Sequence, residues 1–95
     1  MRTRKETKQA EEFFDHRVWY ERHQVLVHDV ESGHKTCDPE IYKRAKKAAK
    51  KIEEKYGLDK LVLPAKDSNF EWGMINGKLS ALRWMLGDEW DNLDT

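Results

Sequence analysis

The sequence predicts an all-α protein. It reads as a small three-helix bundle with helices over about 5–31, 39–56 and 69–86, a short C-terminal turn, and a core completed by dimerisation. Three observations carry that expectation. Apolar residues recur at helical spacing through three long segments. Each segment meets start or stop chemistry, with Ser32-Gly33, Asp38-Pro39-Glu40, Gly57 and Gly87 as the punctuation. Leu, Ile, Val and Phe number only 19 of 95 residues, which is a thin supply for a core built by one chain.

Residues 1–95 read as a single helical domain whose first five residues are polar and expected to fray. In the first helix Phe13, Tyr20 and Val27 repeat every seven residues. Beside them Glu12, His16, Trp19, His23, Leu26 and Val30 form a 4, 3, 4, 3, 4 series. Residues 24–30 include the β-branched run QVLVHDV, so a strand there remains an alternative to helix.

The second helix begins strongly. Asp38 is an N-cap acid, Pro39 occupies the first helical position, and Glu40 adds charge that the helix dipole favours. Ile41, Ala45, Ala48, Ala49, Ile52 and Tyr56 keep to one arc. Gly57 followed by Leu58 suggests a Schellman stop, and residues 58–67 read as a connection whose Leu61, Val62 and Leu63 lie over the bundle.

The third helix, SNFEWGMINGKLSALRWMLG, organises the rest. Ser68 and Glu71 have capping-box spacing, with Asp67 just before them and Gly87 as the stop. Trp72, Ile75, Leu79, Leu82 and Leu86 make one bulky apolar stripe. On the other side lie Gly73, Gly77 and Ala81, with Phe70, Met74, Trp84 and Met85 beside them. Only two thin polar strips, Glu71 with Lys78 and Asn76 with Arg83, separate the faces. Interior glycines cost about 1 kcal/mol each relative to alanine, so a second backbone is expected close against them. In the tail, Asp88 is placed to cap one more turn carrying Trp90 and Leu93.

Charge narrows the partners. Eighteen basic and eighteen acidic side chains balance, so no general attraction to polyanions follows. Cys37 is the sole cysteine, there is no apolar run of spanning length, and the N-terminus is charged. A cytoplasmic, non-membrane setting is therefore the expectation.

Chemistry-bearing patterns are sparse. Glu12 and His16 stand at i and i+4 and are the pair best placed to contribute to a metal site. His16 and His23, two turns apart, cannot ligate the same ion from one helix. No HExxH, G-x-S-x-G or P-loop is present. Lys43, Lys47, Lys51 and Lys55 recur every fourth residue with Lys46 and Lys50 beside them. That basic face would suit phosphate backbones, although Glu40 and Glu54 interrupt it and no aromatic interleaves with it.

The sequence thus points to a non-enzymatic helical interaction or regulatory module working as a homo-oligomer, with no cofactor and with a further protein as a potential partner. Gly73, Gly77, Ala81 and Trp84 form the expected interface, with Trp19 and His23 as a second seam. The alternatives are a nucleic-acid-binding regulator using the lysine face and a metal-dependent helical enzyme.

Overall fold

The computed structural model describes residues 1–63 and 68–90. Four α-helices follow in order: α1 (Arg4–Glu31), α2 (Pro39–Tyr56), α3 (Leu58–Leu61) and α4 (Ser68–Met85). No strand occurs among the described residues. The all-α expectation holds, and the three long helices lie within about a residue of their predicted bounds. Residues 24–30 are helical. Their β-branched side chains lower helix propensity only slightly, and continuation of an established helix outweighs that.

Local chemistry explains the ends. The start of α1 is capped, where the polar sequence suggested fraying. The Glu6 N–H donates to Thr3 Oγ1 at 3.1 Å, and Thr3 donates its own N–H to Glu6 Oε1 at 3.2 Å. This reciprocal box also holds the Glu6 carboxyl below its ordinary pKa, chiefly through the backbone hydrogen bond from Thr3. At α2, the Asp38 carboxylate accepts from the N–H groups of Glu40 and Ile41 at 2.9 and 3.2 Å, as the sequence required.

Helix α4 ends in a Schellman arrangement: Gly87 N–H donates to the Trp84 carbonyl and Asp88 N–H to that of Arg83. Gly87 sits at φ +116°, a region closed to most side chains. Gly57 stops α2, but Leu58 does not fold back on it. Leu58 is exposed and starts the single turn of α3, inside the stretch that reads in the sequence as a connection. Asp67, expected to add charge at the start of this helix, and Leu93, expected in a last turn, lie outside the described residues.

The chain divides into two compact units. One comprises Met1–Val18 with Leu63–Thr95, and the other comprises Trp19–Val62. In the first, Val18, Leu63, Ile75 and Leu79 form the buried cluster, with Phe14 and Trp72 packed against it. In the second, Tyr20, Ala49 and Leu61 are buried, flanked by Trp19, Ile52 and Tyr56. Tyr20 is anchored by its hydroxyl, which donates to Glu53 Oε1 at 2.6 Å. Burial, reinforced by that carboxylate, pushes the phenol up to about 12.

The apolar arc of α2 is used unevenly. Ala49 is buried and Ile52 and Tyr56 are half-buried, whereas Ile41 and Ala48 are exposed. Of the three apolar residues in the connection, Leu61 and Leu63 are buried, each in its own unit, and Val62 is exposed.

Leu79 is 0 % exposed at the heart of the first unit. Leu79→Ala is expected to destabilise the protein by about 3 kcal/mol through lost burial and the cavity left behind. Urea unfolding of the two proteins under identical conditions measures it.

Candidate functional site

At 100° per residue, the stripe of Trp72, Ile75, Leu79, Leu82 and Leu86 occupies one side of α4. The structure buries Ile75 and Leu79 and half-buries the other three. That choice of inner face turns the second apolar face outward. Phe70 is 67 % exposed, Met74 42 %, Trp84 48 % and Met85 57 %, and Gly73 and Gly77 are exposed between them. Ala81 is half-buried. The sequence asks for a backbone packed close against the glycines, and none of the described residues supplies one. A Cβ built on Gly73 or Gly77 would meet nothing within 4 Å. Among the described residues, the picture of α4 as a helix sandwiched on both sides is therefore corrected: one face is packed and one is open.

The polar strips between the faces set the rotation of α4. Arg83 Nη2 donates to Asp15 Oδ1 at 2.7 Å, and Arg83 Nε donates to Glu11 Oε1 at 3.5 Å. Both acids lie on the part of α1 within the same unit. Charge-assisted bonds of this kind are the stronger class, and here the Arg83 side chain is only 19 % exposed. On the other strip, Lys78 Nζ lies 5.6 Å from the centroid of the Phe14 ring. Asn76 donates Nδ2–H to the Trp72 carbonyl of its own helix. Beyond the helix end, Trp90 stacks on Trp84 at 4.9 Å with the rings 16° apart. This stack enlarges the exposed aromatic surface.

Near the same end of α4, a groove of about 490 Å³ is lined by Arg2, Glu6, Thr7, Ala10, Leu82 and Met85. Apolar surface thus continues from the open face toward the start of α1 within that unit.

The other candidate residues fall in the second unit or elsewhere on α1. Trp19 and His23 stack on each other, with ring centroids 5.1 Å apart and planes 6° apart. Trp19 packs against the Tyr20 cluster, and His23 is only 6 % exposed, so this seam is occupied inside its own unit. His23 Nδ1 is buried without a hydrogen-bond partner. Burial lowers the His23 pKa, Lys46 lowers it further, and Glu53 opposes them. Glu12 is exposed and His16 half-buried. Among the described residues, no group of three or more His, Cys, Asp or Glu could hold a metal ion. Lys43, Lys46, Lys47, Lys50, Lys51 and Lys55 are all exposed on α2. Lys46 lies 3.9 Å from Glu31 and over the ring of Tyr42. Among the described residues, no helix is long and apolar enough to cross a membrane.

Sequence reasoning missed the Arg83 clamp and the Thr3–Glu6 box. The box was available as T-x-x-E at positions 3–6. The clamp had a weaker signal, two acids at i and i+4 (Glu11, Asp15) on the first helix, with nothing to name their cation.

His23 gives the fold a pH dependence with a definite sign. Its folded pKa lies below the ordinary 6.5. As pH falls below that value, the unfolded chain accepts a proton that the folded chain resists, so stability present at neutral pH is lost on acidification. His23→Phe, which retains an aromatic ring against Trp19, is expected to flatten that loss. Urea midpoints compared at about pH 7.5 and 5.5 provide the measurement.

No protein-family model, curated protein or solved structure matches the chain.

Proposed function

We propose that the protein is a non-enzymatic helical interaction module that works as a homo-oligomer, using the open face of α4 as its contact surface. The supporting observation is the exposed run of Phe70, Gly73, Met74, Gly77, Trp84 and Met85 on a helix whose opposite side is already buried. Single exposed apolar residues are ordinary on protein surfaces, but a contiguous stripe rimmed by polar groups is the usual mark of an interaction site. The balance of core and surface points the same way. Among the described residues, buried hydrophobics are few and divided between two small clusters, while several of the largest apolar side chains face outward.

The glycines sharpen this reading. Among the described residues both occupy open space, where alanine would fit and would favour the helix by about 1 kcal/mol per site. Glycine at such positions is best accounted for by an approaching surface that leaves no room for a methyl group. Catalysis has no comparable support, because the open face carries no nucleophile, general base or metal-ligand set.

Two effects separate at one residue. Gly77→Ala is expected to raise the stability of the single chain and at the same time weaken self-association. Gly77→Leu is expected to abolish association. Light scattering gives the mass, and unfolding at high dilution gives the single-chain stability. An unchanged oligomer mass for Gly77→Leu would contradict the assignment of this face.

A further inference from the structure

Helix α2 concentrates positive charge. From Ile41 to Ile52 it holds six cationic side chains, Lys43, Arg44, Lys46, Lys47, Lys50 and Lys51, and no acid, although acids and bases balance over the whole chain. Ala49, the buried residue of α2, marks the inward side. At 100° per residue, Lys43, Arg44, Lys47, Lys50 and Lys51 share an arc about 120° wide on the opposite side. All five are exposed. Lys46 is drawn toward Glu31 and the Tyr42 ring. Among the described residues, none of the five has an ion-pair or hydrogen-bond partner. The three acids of α2 lie outside this run: Glu53 accepts from the Tyr20 hydroxyl, and Glu40 and Glu54 stand toward the two ends of the helix. Lys47 has Lys43 and Lys51 at i−4 and i+4, where like charges repel and weaken a helix. A polyanion laid along the arc reverses the sign of that interaction.

We infer that this face of α2 binds the phosphate backbone of a nucleic-acid duplex without reading its base sequence. The inference goes beyond self-association through α4 and does not depend on it. Charge complementarity selects a polyanion, and the composition of the arc selects which one. Lys43 and Lys50 flank one edge, Arg44 and Lys51 the other, with Lys47 between them. Long side chains on both edges suit the phosphate rows that border a duplex groove about 12 Å across. A single strand is held largely by aromatic stacking. The tyrosines of α2, Tyr42 and Tyr56, are half-buried on its packed side instead. An acidic protein would want a dry apolar anchor at the centre of the contact, where lysine is depleted. No apolar side chain falls within the arc. Contacts from lysine to phosphate carry no sequence information, and α2 holds no Asn, Gln, Ser or Thr to read base edges.

Fluorescence anisotropy of labelled mixed-sequence duplexes, DNA and RNA, tests this with the full chain. Lys43 to Lys51 spans about 12 Å of helix axis, which faces roughly four phosphates of one strand. Four such contacts predict that binding weakens roughly a hundred-fold between about 50 and 200 mM salt. The triple variant Lys43→Gln, Lys47→Gln, Lys51→Gln is expected to bind more weakly and to retain only about a few-fold salt dependence. Far-UV circular dichroism checks that it remains folded. A matched variant, Lys5→Gln, Lys8→Gln, Lys60→Gln, makes the same change in net charge outside α2 and is expected to bind as the unmodified protein does. Binding of a DNA or an RNA duplex with this pattern supports the inference, and the tighter of the two names the source. No binding of either duplex at the lower salt would overturn it, as would equal losses in the two triple variants. Tighter binding to the single strand than to the duplex would also overturn it. Tighter binding to polyglutamate would overturn it too and assign the face to an acidic protein.

Discussion

The 100° step of an α-helix constrains this protein more than any single contact. Helix α4 carries bulky apolar residues on two opposed sides, and burying Ile75 and Leu79 necessarily turns Phe70, Met74, Gly77 and Trp84 away. Arg83 enforces that setting by gripping Glu11 and Asp15 from the strip between the faces. Rotating α4 to hide the other stripe would break both bonds and expose the residues that now form the first unit's core. One side is committed inward and the other is presented.

Most of the architecture was legible in the sequence because it is local. Helix limits follow from Asp38-Pro39, Ser32-Gly33, Gly57 and Gly87, and each acts through backbone hydrogen bonds within a few residues. The division of α4 into two stripes also follows from spacing alone. What spacing could not supply was non-local pairing. Tyr20 with Glu53 and Arg83 with Asp15 join residues 33 and 68 positions apart, and no periodicity indicates which acid a given donor will meet.

The glycines show where inference from cost outran the chain. An interior glycine is unfavourable, and a close neighbour was expected to offset that. The expectation is sound as energetics, but it names no owner for the neighbour. The open space at Gly73 and Gly77 transfers the question from folding to assembly. His23 is the converse case. Its place in an apolar series beside Trp19 suggested a seam between molecules, yet the ring is buried within its own unit, where desolvation, reinforced by Lys46, makes acidification costly.

The most direct measurement is the mass of the unmodified protein in solution, followed by sedimentation equilibrium across a wide concentration range. If α4 presents its second face to another copy, the mass rises with concentration to twice the chain value of 11.3 kDa. A mass that stays at 11.3 kDa to the highest soluble concentration would contradict self-association through this helix.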